Sequence, residues 1–147
     1  MRILLLTALA VVFAASLGGA AHAQSADATI AARKAGMDLL AAASGAMKRT
    51  IDAKTDVKPL KGTADAIAAW AMAVPGLFPA GSDKGATKAS ADAFSDPAGM
   101  AKASGAMHAA ALKLSSAADA NDAPAFAAAY AELGAACGGC HRTYRQR

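Results

Sequence analysis

The chain has 147 residues, which is enough for one domain with a substantial core, and its formal net charge is +4 at neutral pH. Such a mild basic excess, from 15 basic and 11 acidic residues, does not predict a nucleic-acid partner. Alanine is abundant and β-branched residues are few, and this composition favours helices over strands.

The first 23 residues have the features of a secretory signal peptide. Arg2 precedes an apolar run that closes on the small residues Ala21 and Ala23. We therefore expect cleavage after Ala23, export to the periplasm, and one mature domain over residues 24–147. No second long apolar run follows, so no membrane span is expected in that domain.

Four segments with the hydrophobic periodicity of helices follow. The first two cover about residues 26–54 and 60–74. The third begins behind Asp96, and the fourth begins behind Asn121 or Asp122; in both, a proline falls in the first turn. The pattern predicts an all-α fold, an antiparallel four-helix bundle whose core can hold a cofactor. Residues 75–96, which are rich in Gly, Pro, Ser and Asp, are predicted to form a long loop that contacts a ligand.

The two cysteines of the chain lie close together near the C-terminus, where Cys137, Cys140 and His141 form the pattern C-x-x-C-H. This pattern attaches c-type haem. On one turn of a helix the two thiols can reach the two vinyl groups at one haem edge and form thioethers, while the adjacent imidazole can turn to the iron. We predict one covalent haem c, anchored by Cys137 and Cys140, with His141 as the proximal iron ligand.

Three other uses of the cysteines fit less well. A disulfide between residues three apart would close a very small loop with strained geometry. A thioredoxin-like redox pair needs a βαβ setting, which nothing in this sequence resembles. A structural zinc site needs a fourth ligand, and His108 is the other histidine outside the leader. His108 lies off the apolar stripe of its segment, which favours a position at the surface or rim.

Two patterns carry a resemblance to a known family. The C-terminal pattern C-x-x-C-H-x-x-Y-R is matched by Cys137, Cys140, His141, Tyr144 and Arg145. The first helix matches R-x-x-x-[L/M] followed by G-x-M, at Arg33, Met37, Gly45 and Met47. In these features the chain resembles the cytochrome c′ family, and more closely its low-spin relative, cytochrome c-556. The resemblance covers essentially the whole of residues 24–147 and implies a four-helix bundle.

The resemblance gives Met37 a specific role. In cytochrome c′ the equivalent distal residue is commonly apolar and leaves the iron five-coordinate, whereas the low-spin branch has a methionine there as sixth ligand. The resemblance therefore implies that Met37 is the distal ligand opposite His141. A thioether opposite histidine raises the reduction potential and keeps the iron low-spin. The alternative for Met37 is core packing, the usual role of methionine at helical spacing.

Weaker haem contacts are implied by the same resemblance. Arg33 aligns with an arginine near a haem propionate, and Lys34 replaces a frequent glutamine. Ser82 and Asp83 stand where the family often has a Thr-Glu pair that contacts the haem. Arg145 lies one turn after His141, either on the proximal side of the haem or in solvent.

The main expectation is a periplasmic monohaem electron carrier with a His/Met-ligated, low-spin haem, redox partner proteins and no enzyme activity. The alternative is a five-coordinate cytochrome c′ that binds nitric oxide or another diatomic gas, which requires Met37 to be off the iron. Dimers through the first two helices are common in the resembled family, so a homodimer is among the expected partners.

Overall fold

The computed structural model describes residues 25–146, so the expected signal peptide lies outside the described residues. Four long helices make up most of this range: α1 (Ala26–Ala53), α2 (Lys61–Ala73), α4 (Pro97–Asp119) and α5 (Ala123–Tyr144). They confirm the predicted all-α bundle. One short helix, α3 (Asp92–Ser95), and 3-10 turns at Lys58–Leu60 and Val74–Leu77 lie in the connections. Residues 25–146 contain no strand, only an isolated β-bridge between Ala89 and Arg145.

Side-chain caps fix where α4 and α5 begin. Asp96 and Asp122 each accept a hydrogen bond from the backbone N–H three residues on, at 2.8 and 2.9 Å. Asn121 was the other candidate for the second cap, but it adopts a positive φ of 51°. Its side-chain oxygen accepts the Val57 amide at 3.1 Å instead, which ties the α1–α2 connection to the α4–α5 connection.

The predicted loop over residues 75–96 is partly helical. A tight turn over Val74–Leu77 continues α2, and α3 forms just before the cap of α4. The short helix is stabilised by tertiary packing because Ala93 is buried against Met100 and Tyr144. Residues 78–91 remain irregular.

Two hydrophobic clusters form the core. The large cluster is centred on α2, α4 and α5, and its largest side chains are Met47, Ile67, Met107, Leu114, Phe126 and Leu133. The small cluster consists of Val74, Ala93, Met100 and Tyr144, with partly buried apolar side chains packed against it. Trp70 contacts both clusters, so the two are continuous. Burial of this apolar surface is the main force that holds the bundle together.

Polar contacts between α2 and α4 supplement the packing. The Ser104 hydroxyl donates to the Ala71 carbonyl, and one turn later His108 Nδ1 lies 3.0 Å from the Ala68 carbonyl. His108 is therefore half-buried against α2 rather than on the open surface.

The first two helices meet at a glycine. A Cβ atom built on Gly36 would overlap the indole ring of Trp70, so the absence of a side chain allows this contact. Between residues 25 and 146, no helix combines the length and the apolar composition needed to cross a bilayer.

Candidate haem-binding site

A cavity of about 720 Å³ opens between α1, the irregular segment after α2 and the end of α5. It is lined by Arg33, Lys34, Met37, Asp38, Ala41, Val74, Phe78, Ala86, Thr87, Lys88, Ala89, Cys140, His141, Tyr144 and Arg145. This volume lies in the range of roughly 300–1,000 Å³ typical of cofactor and ligand pockets. The walls are mostly apolar, and charged groups gather at one side.

The two cysteines are free thiols on one face of α5. Cys140 lines the cavity, and Cys137 lies half-buried one turn earlier, packed against the large cluster. Burial raises the pKa of both thiols, and the neighbouring Cys137 raises that of Cys140 further. Both are therefore protonated at neutral pH. They form no disulfide with each other.

The remaining alternative for the cysteines was a structural zinc site. Within the described range no group of three or more His, Cys, Asp or Glu side chains is arranged to hold a metal ion. The donor set of two thiols and one adjacent imidazole on a single helix fits a covalent haem, which needs two thioether anchors and one axial nitrogen.

His141 lines the cavity beside Cys140, near the end of α5. Partial burial lowers the pKa of its imidazole, and the charge of Arg145 lowers it further. At neutral pH the ring is therefore uncharged, which leaves one nitrogen lone pair able to bind iron. This is the state that a proximal ligand requires.

Met37 lines the same cavity from α1, whereas Cys140 and His141 line it from α5. Its side chain is half-buried and packs against the small cluster. The structure thus brings together in one cavity the two residues expected on either side of the iron, although about a hundred positions separate them in the sequence.

Arg33 is a buried cation at the charged side of the cavity. Its Nη1 donates to the Leu77 carbonyl at 2.9 Å and to Ser82 Oγ at 3.1 Å. Its Nη2 donates to the Ser82 carbonyl at 3.0 Å and to Thr87 Oγ1 at 2.8 Å. The guanidinium also lies 4.7 Å from the centre of the Phe78 ring. Burial lowers the pKa of Arg33, and no carboxylate of residues 25–146 forms an ion pair with it.

The other predicted haem contacts are distributed unevenly. Lys34 and Arg145 line the cavity with exposed side chains. Ser82 is buried and lies outside the lining; its hydroxyl donates to the Pro79 carbonyl at 2.9 Å and accepts from Arg33. Asp83 also lies outside the lining, where it pairs with Lys84 at 3.1 Å. Ser82 therefore affects the cavity indirectly, because it holds the side chain of Arg33, which lines the cavity.

Three residues of the site were not predicted from the sequence. Thr87 and Phe78 hold the guanidinium of Arg33 from the irregular segment, and no hydrophobic period marks either position. Tyr144 was noted in the C-terminal pattern, but its contact with the cap of α4 has no sequence signal. The one available indication for Phe78 was an aromatic residue in a Gly- and Pro-rich segment.

Comparisons with known proteins support the interpretation of this cavity as a haem site. A family model described as cytochrome c′ matches residues 28–145. The fold is similar to cytochrome c′ from Thermochromatium tepidum, with a TM-score of 0.78 and 29% identity over 84% of this chain and 98% of that one. No functionally curated protein sequence matches significantly.

Two further similar structures come from Alcaligenes xylosoxidans cytochrome c′. One is a ferrous variant with bound NO, with a TM-score of 0.74 and 25% identity over 83% of this chain and 96% of that chain. The other is a variant with carbon monoxide bound, with a TM-score of 0.74 and 26% identity over 83% and 97%.

These comparisons correct the main functional expectation. The His/Met-ligated, low-spin electron carrier is wrong, because the matching family and similar structures are cytochromes c′, two of them with a gas bound. An iron that takes an external gas needs a free coordination position, which a methionine ligand would fill. The low-spin cytochrome c-556 subtype is not supported either. Redox partner proteins stay a prediction.

The family accounts for the composition of the cavity. Cytochromes c′ are four-helix bundles that bind one covalent haem c, and they are typically periplasmic. The match extends over nearly all of the described residues, and it includes the helix that carries Cys137, Cys140 and His141. By its sequence, fold and cavity, the chain belongs to the cytochrome c′ family.

Proposed function

We propose that this protein is a periplasmic, five-coordinate cytochrome c′ that binds a diatomic gas, nitric oxide or carbon monoxide. The observation that carries the proposal is the cavity, which joins a neutral imidazole on α5 to an apolar wall formed by α1 and the segment after α2. The gas-bound relatives support the choice of ligand. We further propose that the functional chain is residues 24–147, exported after cleavage behind Ala23.

The residues of α5 have the anchoring roles in this proposal. Cys137 and Cys140 hold the haem by thioether bonds, and His141 is the proximal ligand. When bound, the haem would supply an iron that can bind a diatomic gas. The burial of the thiols and the lowered pKa of the imidazole favour the uncharged forms that these roles need.

The apolar wall has the selecting role. Met37, Val74 and Phe78 present apolar side chains, without hydrogen-bond donors of their own, to a small uncharged molecule. In this proposal Met37 packs in the wall and does not coordinate the iron.

The charged side of the cavity has the orienting role. Arg33 is fixed by four hydrogen bonds and has no carboxylate partner in residues 25–146. A haem propionate would supply the missing negative charge, and the exposed Lys34 beside it would assist. Arg145 lies on the side of His141, where its charge adds to burial in lowering the pKa of the imidazole.

Absorption spectra of the haem-loaded wild type and of Met37→Leu test the proposal. Because Met37 is a wall residue in this account, both proteins should show the same broad, high-spin ferrous spectrum. Met72→Leu is the matched control, since Met72 is 65% exposed and outside the cavity. A sharp low-spin spectrum in the wild type that becomes high-spin only in Met37→Leu would contradict the proposal.

We also propose a homodimer formed through α1 and α2. An apolar groove of about 210 Å³ lies between these helices, and Leu39 at its edge is 72% exposed. A relative with 26% identity and a TM-score of 0.79 is described as having ligand-controlled dimer dissociation. Sedimentation should find a dimer for the wild type and a monomer for Leu39→Lys. A wild type that is monomeric at high concentration would contradict this proposal.

A further inference from the structure

The hydroxyl group of Tyr144 joins the last turn of α5 to the first turn of α4. It donates a hydrogen bond to Asp96 Oδ2 at 2.8 Å, while Asp96 Oδ1 accepts the Gly99 amide as the cap of α4. One carboxylate thus serves both helices. The hydrogen bond to Asp96, together with burial, raises the pKa of Tyr144 to about 12, so the phenol stays a donor throughout the neutral range.

The packing around this contact leaves little freedom. Tyr144 is 8% exposed, and its ring lies in the small cluster with Met100 and Ala93. A Cβ atom built on Gly99 would overlap both the Asp96 carboxylate and the Tyr144 hydroxyl. The first turn of α4 therefore needs a glycine if the two side chains are to meet.

Backbone bonds extend the anchor to the wall of the cavity. The Ser90 amide donates to the Tyr144 carbonyl at 3.0 Å, and the Gln146 amide donates to the Lys88 carbonyl at 2.8 Å. The Ser90 hydroxyl donates to the Thr143 carbonyl at 3.0 Å. The two bonds from Ser90 satisfy the Thr143 and Tyr144 carbonyls, which the end of α5 would otherwise leave without partners.

We propose that Tyr144, with Asp96 as its acceptor, is a positioning residue that fixes the orientation of the His141 imidazole in the cavity. This inference rests on the proposed role of His141 as proximal ligand. His141 precedes Tyr144 by about one helical turn, and both side chains line the cavity. Helix ends fray, so a ligand in the final turns needs an anchor beyond it to hold a single direction.

The test is Tyr144→Phe in the haem-loaded protein, because phenylalanine keeps the ring and removes only the hydroxyl. We expect the ferrous iron–histidine stretching band in resonance Raman spectra to shift or broaden, and the reduction potential to change. Amide hydrogen exchange at Ser90, Arg145 and Gln146 should rise about tenfold, since a hydrogen bond to a charged acceptor is lost.

Tyr130→Phe is the matched control on the same helix. The Tyr130 hydroxyl lies 3.1 Å from Ser44 Oγ on α1, and Tyr130 does not line the cavity. This variant should leave the stretching band and the potential unchanged. If Tyr144→Phe likewise leaves both unchanged, Tyr144 has a structural role only and the inference is overturned.

Substitutions of Asp96 provide a second, independent test of the positioning role. Asp96→Asn keeps an oxygen for the Gly99 amide but places an NH2 donor opposite Tyr144, whose hydroxyl must then accept, so the band should shift less than in Tyr144→Phe. Asp96→Ala removes both hydrogen bonds and should reproduce the shift of Tyr144→Phe. A wild type without the stretching band would contradict the five-coordinate state; the reduction potentials of the Tyr144→Phe and Tyr130→Phe variants would then decide the positioning role.

Discussion

The large and small clusters belong to the same bundle but differ in what surrounds them. The side chains of the large cluster pack against one another, and Phe126, Met47 and Leu114 are fully buried. The small cluster borders the cavity, where polar groups such as the Arg33 guanidinium take part in the packing. The C-x-x-C-H motif crosses this boundary, because Cys137 packs on the large cluster and Cys140 on the small one. The large cluster therefore contributes mainly to stability, whereas the small cluster forms part of the site.

The largest expected effect is the loss of covalent haem from the site, which leaves the scaffold in place. The double variant Cys137→Ser, Cys140→Ser should lose all covalent haem, because both thioether anchors are removed. Haem staining on a denaturing gel measures this, and Cys137→Ser alone, with one anchor left, is the control. Haem that stays covalently bound in the double variant would contradict the assignment.

Phe126→Ala should damage the scaffold while sparing the site. Phe126 is fully buried in the large cluster, so its truncation should cost about 3–5 kcal/mol of unfolding free energy. Carbon monoxide affinity should remain within about twofold of the wild type, because Phe126 does not line the cavity. Urea denaturation and gas titration measure the two quantities.

Phe78→Ala is the matched variant at the cavity. Phe78 is half-buried, so its truncation should cost about 1 kcal/mol, less than that of Phe126. Gas affinity should change more, since Phe78 lines the cavity and supports Arg33. If the two variants have equal effects on both quantities, the distinction between the clusters does not hold.

Gly36→Ala tests the contact between α1 and α2. A methyl group there overlaps the Trp70 ring, so we expect a loss of about 1–3 kcal/mol from overpacking. Gly105→Ala on α4 is the control, because nothing lies within 4 Å of a Cβ atom at that position. That variant should gain about 0.5–1 kcal/mol from helix propensity. Urea midpoints of both variants give the comparison.

The smallest effect concerns a pH-dependent contact on the scaffold. Asp65 accepts hydrogen bonds from Ser115 and Lys61, which lower the pKa of its carboxyl group. A carboxyl whose pKa is lower in the folded state stabilises the fold above its ordinary pKa, and this contribution is lost as the pH falls through the folded value.

Ser115→Ala should therefore reduce stability slightly at neutral pH. The difference from the wild type should shrink in acid, once Asp65 is protonated in both proteins. Urea midpoints at neutral and acidic pH measure this, and Ser116→Ala, at an exposed neighbouring position, is the control. A difference that stays constant with pH would show that Asp65 is not involved.

Much of the scaffold could be predicted because its signals are local. Asp96 and Asp122 precede prolines that fit a first helical turn, and both are caps in the structure. The apolar side chains of Phe126, Leu133 and Tyr144, which recur along the fourth predicted helix, are buried on α5. The C-x-x-C-H pattern predicts its cofactor because few other chemistries need two thiols and an imidazole at that spacing.

The rest of the site depends on contacts between distant segments. The hydrogen bonds of Arg33 reach 49 and 54 residues along the chain, to Ser82 and Thr87, and no local pattern marks such partners. Residue type alone does not set the role of Met37, because methionine at helical spacing serves as core filler or as ligand. The expectation of a low-spin haem depended too strongly on the presence of a methionine at this position.

The most direct test of the central claim is a carbon monoxide titration of the ferrous, haem-loaded wild type followed by absorption. We expect a broad high-spin spectrum that changes completely on binding one carbon monoxide per chain. A sharp low-spin spectrum that added carbon monoxide leaves unchanged would contradict the proposed gas-binding function.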